Sequence, residues 1–295
     1  MENLPQVRLN NQTRPVLLTV LAHPDDETFG TGGTLALYSR RGVDVHLVCA
    51  TRGEVGEMDP ALMGSFDTIG DKRESELRCA AGTLGLTGVY FLGYRDSGMP
   101  GSPDNQHPQA LVAQPLDEVA AKVAHYIRLL KPQVVITFDP IGGYRHPDHI
   151  AIHQATVKAF YASGDPSAYP DPDGLPAFTP QKLYFHTFPH GFLKVAVRIL
   201  RLVGRDPTKF GKNKDIDLVS ITEVEFPTHA LVNFHPVARI REEAAACHAS
   251  QGGQAMNSGL QGFISRLFNR GDNYMRAYPE PKSGERLERD LFERI

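Results

Sequence analysis

Two short apolar runs constrain this chain more than anything else in it. Each ends in a loop of histidines and aspartates that leads into a helix. The first run, 16–22, is rich in Val and Leu and too short for a helix, so it reads as a buried strand. It ends in His23-Pro24-Asp25-Asp26-Glu27, passes Gly30-Thr31-Gly32-Gly33-Thr34, and continues into a helix that carries Leu35, Leu37 and Tyr38 on or near its buried side. The second run, Val134–Phe138, leads through Asp139-Pro140-Ile141-Gly142-Gly143 to Tyr144-Arg145-His146-Pro147-Asp148-His149. That cluster opens another helix, with Pro147 in the early turn that suits proline. A strand that passes to a helix through a polar loop places the loop at its carboxyl end, where open α/β sheets build ligand sites. If the sheet is parallel, both loops share one edge of it.

The rest of the chain repeats the alternation. Strands are expected at 43–50 and 88–92, and helices from residue 71 and over Leu116–Leu130, the latter stopped by Lys131-Pro132. A further strand is expected at 182–186, a basic helix around VAVRILRLVGR, an edge strand at 221–226 and a helix at 239–249. In the tail, Leu287, Leu291, Phe292 and Ile295 share one stripe, which suits docking on the body or on another subunit. The expected fold is α/β: a Rossmann-like three-layer fold with a mostly parallel sheet, plus a C-terminal region of edge strands and helices. One domain is expected over 1–295, with a core at 15–190 and a C-terminal elaboration at 191–295. At 295 residues and 41% hydrophobic content, such a core can be built without splitting the chain.

The residue types of the two loops suit metal-assisted hydrolysis. Zinc takes imidazole nitrogen and carboxylate oxygen, and a catalytic site keeps one position for water. His23 and Asp26 can close on one ion across a turn, and His149 can add the third ligand from the facing loop. Asp25 is then left beside the metal, free to take a proton. His146 is placed to protonate a leaving group or stabilise an oxyanion, with Asp148 orienting its ring. Two histidines and one carboxylate suit Fe2+ as well as Zn2+. Each piece alone has a plainer explanation: paired aspartates after a strand cap helices, and His-Pro is common in loops. His149 and His153 also stand four apart, but His153 has no nearby carboxylate and reads as a packed or exposed helix residue. The pairing of two such clusters on equivalent strand ends is what points to a metal site.

At these residues the chain resembles the PIG-L/LmbE-type zinc N-deacetylases, whose AHPDDE and HPDH motifs stand here as Ala22 to Glu27 and His146 to His149. The likeness extends to Gly53-Glu54, Arg73-x-x-Glu76-Leu77, Arg95-Asp96-Ser97-Gly98-Met99, Gly142-Gly143-Tyr144 and Cys247-His248-Ala249-Ser250-Gln251, and so spans most of the chain. It is nearest to the branch of mycothiol metabolism that deacetylates a glucosaminyl-inositol or cleaves the amide of thiol conjugates. The resemblance implies zinc on His23, Asp26 and His149, Asp25 as general base, and His146 with Asp148 at the transition state. It also implies Tyr144 polarising the acetyl carbonyl, with Arg73 and Asp96 facing an N-acetylated amino-sugar substrate.

Other classes fit less well. Gly30-Thr31-Gly32-Gly33 lacks the dinucleotide-binding spacing, and two aspartates in front of it would repel a pyrophosphate. A binding-only sugar site has no need of a base and an acid. The net charge of −3 gives no reason to expect nucleic acid or an anionic membrane as partner. No apolar run approaches membrane-spanning length, and no basic segment precedes 16–22. Cys49, Cys79 and Cys247 are odd in number and lack metal-type spacing, which suggests a reducing compartment. A cytoplasmic protein is expected, with a homo-oligomer left open. The seven basic residues between Lys194 and Lys214 suit a solvated face better than a lid over an anionic substrate.

Overall fold

The computed structural model describes residues 4–7, 14–187, 190–209, 217–253 and 271–295. Its strands are β1 (Val16–Leu21), β2 (Asp44–Thr51), β3 (Gly88–Tyr94), β4 (Val134–Phe138), β5 (Lys182–Thr187), β6 (Ala230–Asn233) and β7 (Gly271–Tyr278). They form one sheet in the order β3-β2-β1-β4-β5-β7-β6. The first five positions are parallel, and β7 is antiparallel to both of its neighbours. β1 therefore has β2 on one side and β4 on the other, and the order reverses between β1 and β4. In an open α/β sheet that reversal leaves a crevice beyond the strand ends. Both histidine–aspartate loops leave the sheet there.

Burial on both faces explains runs that are apolar but for Thr19 and Thr137, both fully buried. Leu18 and Val20 of β1 pack with Val123 and Ile127 of α4 (Leu116–Leu130) and Ile152 of α6 (Pro147–Ala162). Leu17 packs on the opposite side with Leu35 and Tyr38 of α2 (Gly32–Arg40), Leu84 of α3 (Ile69–Leu84) and Ala244 of α9 (Ala238–Cys247). These are the three expected layers. α3 starts where the Thr68 hydroxyl accepts the Asp71 N–H and stops at Gly85, whose φ of 81° suits glycine. The glycines after the first loop serve close packing: a Cβ on Gly33 would lie 2.1 Å from the Phe234 ring. His153 is buried, with Nδ1 2.7 Å from the Phe138 carbonyl, and takes no part in the first loop. The basic segment forms α7 (His190–Leu202). No helix among the described residues is long and apolar enough to cross a membrane.

Three expectations change. Residues 221–226 are not an edge strand: α8 (Leu218–Thr222) takes their start, because the Asp217 carboxylate caps it by accepting from the Val219 and Ser220 amides. The edge strands of the C-terminal region lie instead at β6 and β7. Cys79 and Cys247 form a disulfide between α3 and the end of α9, while Cys49 is free and buried. The cysteines therefore give no argument for a reducing compartment. The tail docks on the body, with Leu291 and Phe292 buried beside Tyr38. Because the disulfide spans a sequence separation of 168 residues, Cys79→Ser is expected to lower stability by about 2–4 kcal/mol. Denaturant unfolding of the oxidised protein and the variant checks this, and equal midpoints would refute it.

Candidate metal centre

The centre sits at the carboxyl ends of β1 and β4. His23 follows β1, Asp26 begins α1 (Asp26–Phe29), and His149 lies in the first turn of α6. His23 Nδ1 lies 3.2 Å from His149 Nε2, and carboxylate oxygens of Asp26 lie 3.6 Å from the first and 3.4 Å from the second. Three ligands of a tetrahedral ion at roughly 2.0–2.2 Å stand about 3.3–3.6 Å apart, so the triangle has the size such an ion requires.

The protons of the two rings sharpen the point. His23 Nε2 faces the Asp148 carboxylate at 3.1 Å and Asp96 at 3.5 Å, so that nitrogen carries the hydrogen. His149 Nδ1 faces the Gly142 carbonyl at 3.1 Å and can only donate to it. His149 Nε2 is thus a lone pair, and it meets His23 Nδ1 at 3.2 Å. Despite burial, Asp96, Asp148 and Asp26 raise the His23 imidazole well above its usual range, so either a second proton on Nδ1 or a metal ion joins the two nitrogens. Gly142 makes the approach possible: its φ is 65°, and a Cβ there would lie 2.8 Å from the His149 Cβ. Phe138 stacks flat on the His149 ring at 3.9 Å.

Two other sets of buried donors share His23, one with His146 and His149 and one with Asp96 and Asp148. The second is better explained as support. Ser97 donates its amide to Asp148 and Gly98 donates to Asp96, which fixes both carboxylates against the His23 N–H edge. A third group, His125 with Asp171 and Asp173, is partly exposed and separate from the two loops.

Asp25 lies beside the triangle, with 17% of its side chain exposed. Burial pushes its carboxyl up to about 6, against the pull of Arg73. Arg73 reaches Asp25 at 3.1 Å, the Pro24 carbonyl at 2.8 Å and the Gly53 carbonyl at 2.9 Å. Asp25 adopts φ 121° and ψ −29°, a backbone state that costs of order 1–3 kcal/mol and survives only when its surroundings impose it. Asp26 is held well below the ordinary carboxylate range despite burial, by His149 and His23.

His146 caps α6, its Nδ1 accepting the Asp148 amide at 3.2 Å. Its proton therefore sits on Nε2, the end free to donate. Burial, with His23 and His149 nearby, pulls this imidazole down to about 2, so it is neutral. Asp148 does not bind the His146 ring with its carboxylate, which instead holds His23. Tyr144 stands over the His149 ring with centroids 5.0 Å apart, and it packs against a patch of α7 and α8 that includes Val197 and Ile221. Burial raises its hydroxyl, which stays a donor.

Residues without an expected role also meet here. Glu54 accepts the Asp96 amide, and Asp96 receives the Val55 amide. Glu27, fully buried, binds the Asp25 amide and His248. The signal for these lay in Gly53-Glu54 and Cys247-His248, but nothing in the spacing joins them to the loops.

The GlcNAc-PI de-N-acetylase (PIG-L) family matches residues 18–160, the stretch that holds both loops. A 1D-myo-inositol 2-acetamido-2-deoxy-α-D-glucopyranoside deacetylase of Geodermatophilus obscurus is 37% identical over 244 residues, covering 80% of this chain and 82% of its own. A second protein of that description, from Catenulispora acidiphila, is 33% identical over 296 residues, covering 94% and 96%. Among solved structures, N,N'-diacetylchitobiose deacetylase from Pyrococcus horikoshii superposes with a TM-score of 0.61 at 22% identity, covering 88% of this chain and 83% of its own. The 4-carboxy-2-hydroxymuconate hydratase from Pseudomonas putida superposes at 0.58 and 19% identity, covering 92% and 100%. Both are likenesses of fold, and a hydratase among them means that the fold alone does not name a reaction.

Proposed function

The chain belongs to the PIG-L, or GlcNAc-PI de-N-acetylase, family, and from this we propose that it is a metal-dependent hydrolase removing the N-acetyl group of a glucosaminyl substrate. The observation that carries the reading is the triangle of His23 Nδ1, His149 Nε2 and the Asp26 carboxylate, with edges of 3.2, 3.6 and 3.4 Å. His23, Asp26 and His149 would hold the ion, Zn2+ or Fe2+. Bound there, a divalent ion supplies Lewis acidity, polarising the acetyl carbonyl and making water easier to deprotonate.

The chain's own groups move the protons. Asp25 takes one proton from the attacking water as the carbon–oxygen bond forms. Tyr144 donates from its hydroxyl toward the carbonyl oxygen as charge gathers there. The carbon–nitrogen bond then breaks, and the nitrogen leaves with a proton from Asp25 or from His146 Nε2, giving acetate and a free amine. Asp148 and Asp96 keep the His23 proton on Nε2, so that Nδ1 remains a ligand. Arg73 holds Asp25 in place, and Asp96, almost fully buried, has both oxygens engaged by Gly98, Val55 and His23, so these two residues act behind the site rather than on the sugar. We read the whole chain as one domain, its C-terminal strands completing the sheet.

The substrate to try first is a 2-acetamido-2-deoxyglucopyranosyl inositol, the compound class in the relatives' names. The test is amine release from a panel of glucosaminyl glycosides that varies the aglycone and the acyl group. The N-acetyl glucosaminyl compounds are expected to be hydrolysed and their amines untouched. No release from any N-acyl sugar by metal-loaded protein would overturn the reading.

A further inference from the structure

We propose that Glu27 and His248 act together as positioning residues for Asp25, holding the loop backbone in the state that aims the Asp25 carboxylate at the reacting water. The inference rests on the reading of Asp25 as proton acceptor, and it gives a task to the last residue of the HPDDE cluster. Asp25 stands at φ 121°, a conformation its side chain disfavours. Its amide hydrogen is therefore directed inward, where Glu27 Oε2 accepts it at 2.9 Å. The other oxygen, Oε1, accepts from the Thr28 hydroxyl and from His248 Nε2, the latter at 2.6 Å. Both Glu27 and His248 have no exposed surface. A carboxylate removed from water needs its lone pairs filled, and without His248 the Glu27 oxygens would be free to turn away from Asp25.

His248 is in turn held on both sides by the helix that carries Arg73. Cys247, just before it, is bonded to Cys79 of α3. Ser250, just after it, gives its amide and hydroxyl to Glu76 of α3. One helix thus fixes Asp25 twice: Arg73 holds its carboxylate directly, and the joint around His248 holds its backbone through Glu27. Glu27 follows the ligand Asp26 in the chain, but its carboxylate bonds to the Asp25 amide, Thr28 and His248, so the action proposed for the pair runs through Asp25.

The test compares metal-loaded wild type with Glu27→Ala, His248→Ala, the double variant and Glu27→Gln. Glutamine can still accept the Asp25 amide and can donate to His248 in its other tautomer, so it preserves the geometry without the charge. Glu27→Ala and His248→Ala are expected to lower kcat by about tenfold to hundredfold, the usual range for supporting partners of a site, with KM and bound metal unchanged. Glu27→Gln should recover most of the loss, and the double variant should be no worse than Glu27→Ala. Unchanged kcat, a loss confined to KM, loss of metal, or additive losses would overturn the proposal. A crystal structure of Glu27→Ala is the arm that needs no activity. Asp25 is expected to leave positive φ and part from Arg73, and an undisturbed Asp25 would overturn the proposal even if no sugar is deacetylated. If Glu27→Ala fails to fold, the structure and kinetics of His248→Ala decide the matter.

Discussion

Asp25→Asn is expected to cut acetate release at least about 10²-fold while one metal ion per chain stays bound, since general-base help alone contributes that much. The substitution keeps the size of the side chain and its contact with Arg73, and it leaves His23, Asp26 and His149 untouched. It removes the ability to take a proton and the charge facing Arg73, while an amide oxygen can still accept from that guanidinium. The ordinary alternative, that Asp25 is a loop residue neutralising Arg73, predicts a modest loss through altered folding and little change in kcat. Turnover measured beside metal content separates the two. A variant with full activity would end the assignment of Asp25 as base.

His149→Ala is expected to have the larger effect, emptying the centre and abolishing turnover together. His149 supplies the Nε2 lone pair 3.2 Å from His23 Nδ1, and the Gly142 carbonyl fixes the tautomer that makes this so. Without it, His23 and Asp26 remain as a two-ligand site, too few to keep a divalent ion through dialysis. The loss of the ring stacked on Phe138 also leaves a void, so the variant should melt lower. Metal analysis of the folded variant decides the point, and one ion per chain would show that the ligands were wrongly named.

Much of this arrangement was legible because parallel strands and their loops are local in sequence. The runs at 16–22 and Val134–Phe138 are apolar apart from the buried Thr19 and Thr137 because both faces of a central strand are covered, and their loops follow directly. Ligands carried by such loops can be read from residue types alone. What stayed hidden depends on distant pairing. β7 alternates buried and half-buried positions, but its buried residues include Asp272 and Arg276, which look like surface residues until Thr34 and Glu288 are seen to satisfy them. The 221–226 stretch has a strand's alternation, yet the Asp217 cap decides for a helical turn. Cys79 and Cys247 meet because α3 and α9 pack together, which no spacing announces. Asp148 was expected on His146, its neighbour in the chain, and went instead to His23, 125 residues away. Glu27 had no task until the fold brought His248 to it.

Metal titration of the chelated protein, with acetate release followed at each addition, is the most direct measurement. The rate from an N-acetylglucosaminyl inositol should rise in proportion to added Zn2+ or Fe2+ and stop at one ion per chain, with His149→Ala flat throughout. Full turnover in the metal-free protein, or an equal response from His149→Ala, would contradict metal dependence at this centre.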